Sequence, residues 1–154
     1  MKVDPECVVL PASEMLAGFE AAERERLSGF GHFIIFEAGQ VLIREGHEQN
    51  RLWFPLAGAL DVVHETETGH TPVGTINEGE WFGEINIFDA NVASATVIAR
   101  TQCQVWYMSR AKLEEFLNAD PALGCQLILS AAEVLSQRIR EVLTKLNATW
   151  ELSS

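Results

Sequence analysis

Cationic side chains are scarce in this chain: 11 Lys and Arg stand against 22 Asp and Glu, for a net charge of −11. Sequence-independent grip on nucleic acid depends on Lys and Arg neutralising phosphates, so no nucleic-acid partner is expected. Any anionic ligand must be held by local amides or a local cation against an unfavourable overall field. Cysteine is sparse too. Cys7, Cys103 and Cys125 are odd in number and lack CxxC spacing, a poor disulfide framework that fits a reducing cytoplasm. Cys103 and Cys125 stand in apolar stretches and are expected to be buried small side chains. No apolar run is long enough to span a membrane, and no membrane partner is expected. The opening MKVDPECVVLPASEM, with its acids and proline, lacks the apolar core of a signal peptide. No Ser-His-Asp order, nucleophile elbow or GxxxxGK[ST] loop occurs, so the chain is not expected to be an enzyme.

What the chain has is 154 residues, 47% of them apolar and 21% charged, enough for one globular domain over residues 1–154. A short charged helix is expected within residues 19–29, stopped by Gly29 and Gly31, whose backbone freedom suits a helix end. Short runs rich in Val, Ile, Phe, Trp or Thr then follow at residues 32–36, 40–44, 51–56, 59–64, 71–76, 95–99 and 103–109. Between them Gly39, Gly46, Gly58, Gly69 and Gly79 mark turns where glycine supplies positive φ. Evenly spaced short strands over residues 31–109 point to a sandwich or barrel.

One loop carries more chemistry than the rest. Gly83 lets the backbone approach closely, and Glu84 offers a carboxylate at the start of a short apolar helical turn from Ile85 to Phe88. The free amides of such a turn can face an anion. The stretch Phe82-Gly83-Glu84, a few apolar residues, a short loop, then Ser94-Ala95-Thr96-Val97 resembles the phosphate-binding cassette of the cyclic-nucleotide-binding domain superfamily, of the catabolite activator and protein kinase A regulatory type. The glycines of FEAGQVLIREGHEQNRLWFPLAGALDVV resemble those of the family's opening hairpins. The resemblance covers about nine tenths of the chain. It implies a mainly β fold with flanking helices: a double-stranded β-helix, or jelly roll, with a cassette at residues 82–97.

The same resemblance implies ligand-binding roles for Phe82, Gly83, Glu84, Ile85, Ala93, Ser94, Ala95 and Thr96. Glu84 takes the ribose hydroxyl, Gly83 and Ile85 present backbone groups, and Ser94 and Ala95 reach the phosphate. No cofactor is required, and cyclic AMP or cyclic GMP is the implied ligand. One position departs from the pattern. The family arginine that pairs with the cyclic phosphate falls on Ala93, and a charge-assisted hydrogen bond contributes about 1.5 to 3 kcal/mol, so binding is expected to be weak. Neither Arg100 nor Arg110 is close enough in sequence to replace it. A cupin-like metal site, which would share the jelly roll, needs His-x-His spacing that His32, His47, His64 and His70 do not supply.

After Met108 the periodicity becomes helical, with one helix over residues 110–117 and a longer one beginning at Asp120-Pro121 and running to about Ala148. Ile128, Ala132, Leu135, Ile139, Val142 and Leu146 form a heptad seam, and Leu127, Ala131, Val134 and Leu143 widen it on one side. One face can dock on the barrel while the seam pairs with a second copy, which predicts a homodimer. The residues after Leu146 leave no room for a winged helix, so the expectation is a stand-alone cytoplasmic sensor that signals through this helix to a separate effector protein. The alternative is a ligand-free dimerisation or interaction module that keeps the fold and has lost nucleotide binding. Trp150 is the one candidate beyond the seam for covering a bound base, a weaker reading than simple coverage of apolar surface.

Overall fold

Strands β4 (Arg51–Ala57) and β9 (Cys103–Ser109) are buried along almost their whole length, because each has a hydrophobic core on both faces. The computed structural model describes residues 9–153. In it β1 (His32–Phe36) pairs antiparallel with β9, which pairs with β4, giving a three-stranded sheet. The facing sheet runs β2 (Val41–Ile43), β8 (Thr96–Ala99), β5 (Leu60–Thr66) and β6 (Gly69–Ile76). These sheets roll into a mainly β jelly roll with flanking helices. Gly39, Gly46, Gly58, Gly69 and Gly79 all have positive φ, as the turns require.

Alternation along β4 and β9 assigns each side chain to one core. Trp53, Val105 and Cys103 point into the roll with Leu60, Phe82, Ala93 and Val97. Phe54, Trp106 and Met108 point the other way, into a second core closed by helices. The helices are α1 (Ala21–Ser28), α3 (Arg110–Ala119) and α4 (Pro121–Ser153), and a single 3-10 turn at Glu14–Leu16 adds Met15 and Leu16. Asp120 separates the last two helices, and its Oδ1 accepts from the Leu123 amide at 3.2 Å, a cap of about 1 kcal/mol. Helix α4 docks through Leu123, Leu127 and Ala131, all buried.

Several expectations need correction. Two further strands, β3 (Glu48–Gln49) and β7 (Asn91–Val92), pair with each other; two residues carry no pattern to read. Gly29 has φ −68, an ordinary helical value, so it does not end α1 through a left-handed turn. Gly31 is needed for space, since a Cβ there would overlap the Trp106 indole. Cys125 is exposed on α4 and only Cys103 is buried, where desolvation pushes its thiol pKa up. Cys7 lies outside the described residues. Helix α4 continues past residue 148, and Leu143, counted with the docking side, is 52% exposed. Toward its C-terminal end the helix carries Ile139, Val142, Leu146 and Trp150, each more than half exposed.

Candidate functional site

The cassette is anchored from behind by β4. Phe82 and Trp53 exchange both backbone hydrogen bonds, at 2.9 and 3.0 Å, and their rings stack at 5.9 Å with planes 6° apart. Gly83 follows at φ 80, a left-handed value, and a Cβ there would overlap the Arg51 carbonyl oxygen and lie 2.6 Å from Gln49 Nε2. Glycine is therefore required by conformation and by the close approach of β4, with no ligand involved. The turn opens directly into α2 (Glu84–Phe88), where the Asn86 and Ile87 amides donate to the Gly83 carbonyl. Arg110 closes the far end, donating from Nη1 to the Ile87 and Phe88 carbonyls at 2.9 and 3.1 Å.

The returning chain is held the same way. The Ala93 amide donates to His47 and the Ala93 carbonyl accepts from Gly46, both at 2.9 Å. Ala93 is 5% exposed, Ser94 is exposed and Ala95 is half-buried. Thr96 departs from its expected role: it is fully buried, and its hydroxyl accepts from the Glu45 amide at 2.9 Å.

Phe82, Gly83, Glu84, Ala93, Ser94 and Ala95 meet on the wall of one hollow of about 1040 Å³, and Thr96 does not line it. Ile43, Val62, Ile76 and Val97 of the roll form its apolar side. Helix α4 forms the third side through Ser130, Val134, Arg138, Val142 and Lys145. Trp150, 74% exposed, lies outside it. The charge is lopsided, with Glu14, Glu80, Glu84, Glu133 and Glu141 against Arg138 and Lys145. Arg100 and Arg110 are occupied elsewhere, Arg100 by Asp61 on β5, and neither lines the hollow. Among the described residues no cluster of His, Cys, Asp or Glu could hold a metal ion. His64 instead contacts Glu45 at 2.7 Å on the roll's outer side and holds that carboxyl below its ordinary pKa.

Arg138 is the residue of the hollow that sequence reasoning missed. Its guanidinium hydrogen-bonds the Glu84 carboxylate through Nη1, donates to the Trp81 carbonyl from Nη2 at 2.7 Å, and lies 3.7 Å from Glu14. Glu14 in turn accepts from the Trp81 amide at 3.1 Å. One side chain thus ties α4, the cassette and the 3-10 turn together. A signal for it was present. Leu127, Ala131, Val134 and Arg138 are spaced by four, three and four, which puts a cation on the docked stripe, where it needs an acid opposite.

Known proteins resemble this chain in sequence and in fold. A profile of the cyclic nucleotide-binding domain matches residues 33–120. The chain is 27% identical over 123 residues to the cAMP-activated global transcriptional regulator Vfr of Pseudomonas aeruginosa, covering 77% of this chain and 58% of that one. It is 26% identical over 91 residues to the cAMP-dependent protein kinase regulatory subunit of Schizosaccharomyces pombe, covering 59% of this chain and 21% of that one. The chain thus spans less than two thirds of either relative. Among solved structures, the catabolite activator protein of Thermus thermophilus superposes with a TM-score of 0.77 at 18% identity, over 89% of this chain and 63% of that one. A cyclic nucleotide-binding domain from Methylobacillus flagellatus gives 0.76 at 22% identity, over 85% and 74%. Those two superpositions speak for the fold alone. With more than half of its length matched by the profile, the chain belongs to the cyclic nucleotide-binding domain family.

Proposed function

We propose that this protein is a cytoplasmic regulatory module that senses a small ligand between its cassette and its roll and reports occupancy through α4. The observation that carries this reading is the bond between Arg138 of α4 and Glu84 of the cassette, across a hollow large enough for a nucleotide. A ligand donor arriving at Glu84 must share that carboxylate with the guanidinium or displace it. Either event changes what holds α4 in place, so binding and helix position are coupled through one acceptor. Phe82, Ser94 and Ala95 with the backbone of Gly83 and Ile85 complete the ligand side, and Thr96 supports it by fixing Glu45. The ligand favoured by family membership is a cyclic nucleotide, held weakly because Ala93 brings no cation and the wall carries five carboxylates. The exposed seam residues Ile139, Val142 and Leu146 pair with the same helix of a second copy, and an effector protein reads the result. The module has no catalytic role.

A second reading has its own support. Ala93 together with the acidic wall favours a module that keeps the fold and the helix seam without binding nucleotide. Calorimetric titration with cyclic AMP, cyclic GMP and a cyclic dinucleotide separates the two. Micromolar binding that is altered in Glu84→Gln supports sensing, whereas no heat from any of them supports the interaction module. Sedimentation of Ile139→Glu with Leu146→Glu tests the seam: a dimer in the parent and a monomer in the variant are expected, and a monomeric parent refutes it.

A further inference from the structure

Two cations line the large hollow, Arg138 and Lys145, and of the two only Arg138 bonds the cassette. On the reading that this hollow takes a nucleotide-like ligand, we propose that Arg138 meets the ligand's anionic group, in place of the arginine whose position Ala93 occupies. A guanidinium carries five N–H donors. In Arg138 one is spent on Glu84 from Nη1 and one on the Trp81 carbonyl from Nη2, and among the described residues no further acceptor is within hydrogen-bond distance, so three remain. Glu14, at 3.7 Å, contributes charge without a hydrogen bond. The side chain lines the hollow and is 33% exposed, so a ligand can reach it. Ala93 and Ser94, where the family pattern puts the phosphate, line the same hollow. Lys145 stands two helical turns further on, about 10 Å along the axis from the residue that touches Glu84.

The charge balance then sets what the ligand must bring. Arg138 answers two carboxylates, Glu84 and Glu14, so an anion alone would only add to an acidic surplus. A ligand that donates a hydroxyl hydrogen to Glu84 and offers an anionic oxygen to Arg138 replaces one charge-assisted bond by two, one at each end. The ligand class is therefore a small molecule with a hydroxyl and an anionic group on one frame, as in a nucleoside cyclic phosphate. Neither half suffices: a neutral hydroxyl compound leaves Arg138 unanswered, and a bare anion leaves Glu84 so.

The preference for cyclic AMP over adenosine reads the anion contact by itself, because both carry the same base and the ribose 2′-hydroxyl. Both affinities are measured by NMR titration of the protein. Cyclic AMP should bind the parent at least about tenfold more tightly than adenosine, and Arg138→Met should cut that ratio at least about fivefold. A variant that merely loosened α4 would weaken both ligands alike and leave the ratio where it was. Arg140→Met removes the same charge from an exposed position of the same helix, off the hollow, and should keep the ratio within about twofold. Should Arg138→Met not fold, the double variant with Glu84→Gln, which strands no acid, is compared with Glu84→Gln alone, and the same fall is expected. Equal affinity of the two ligands for the parent, a ratio that survives replacement of Arg138, or an equal fall in Arg140→Met overturns the role of Arg138. Absence of binding by both ligands overturns the reading of the hollow itself, and the role of Arg138 with it.

Discussion

Exchanging Arg138 for Met tests how firmly α4 is held to the cassette, because Met keeps much of the stem and removes only the charged fork. Glu84 is left as a carboxylate whose side chain is 9% exposed, with its cation gone, while the Trp81 carbonyl loses its 2.7 Å donor. Breaking one side of a fully buried pair costs about 3 to 5 kcal/mol. An exposed pair is worth about 0 to 1 kcal/mol. Arg138 is 33% exposed, so this pair lies between those limits and nearer the buried one on the acid side. A loss of about 2 to 3 kcal/mol follows for Arg138→Met. Glu84→Gln keeps an acceptor and should cost about 1 kcal/mol. In the double variant the stranded charge disappears, so the two losses should fail to add by about 1 to 2 kcal/mol. Urea unfolding followed by the fluorescence of buried Trp81 and Trp106 reads this directly. With a slope of about 2 kcal/mol per molar urea, the Arg138→Met midpoint should fall by about 1 M, at one fixed protein concentration so that any self-association stays constant. A loss under about 0.5 kcal/mol, or additive single losses, would mean that the contact is a surface pair and that α4 is held by Leu123, Leu127 and Ala131 alone.

Three further outcomes follow from the same geometry. Gly83→Ala should destabilise by about 2 to 4 kcal/mol, since it places a side chain in a left-handed conformation and against the Arg51 carbonyl; near-native stability in thermal unfolding contradicts this. Ala93→Arg should raise affinity for cyclic AMP at least about tenfold in calorimetry by returning a cation to the wall, and an unchanged affinity would show that the pocket does not present a phosphate there. In a Cys7→Ser background one thiol, Cys125, should react quickly with a thiol reagent at neutral pH. Cys103, whose buried thiol resists ionisation, should react only on unfolding, and two fast thiols would refute the burial.

The parts of this fold that were legible in sequence are those where one residue type answers one local demand. The five turn glycines meet a demand for positive φ that other residue types meet at a cost, and Asp120-Pro121 brings its own cap and first-turn residue to a helix start. Strands β4 and β9 were legible as apolar runs but not as members of a two-faced sheet, since burial on both sides erases the alternation that would assign Trp53 and Phe54 to different cores. Gly31 and Gly83 read as flexible, yet what they serve is space: Trp106 presses on one, Arg51 and Gln49 on the other, and both contacts are made by segments distant in sequence.

The site divides along the same line. Residues contiguous in the cassette were assigned through the family resemblance they carry, but the cation that reaches Glu84 stands 54 residues along the chain from it and becomes visible only when α4 is laid across the hollow. Arg100 and Arg110, the basic residues nearest Ala93 in sequence, are committed to a carboxylate and to carbonyls elsewhere. Electrostatics was the sounder guide. A buried acid in a chain short of cations must find one of the few available, and on the docked stripe of α4 the one that reaches Glu84 is Arg138. That alignment makes the Glu84–Arg138 bond part of what holds α4 in place as well as the proposed switch, so a ligand that displaces Arg138 must offer the Glu84 carboxylate a donor in exchange.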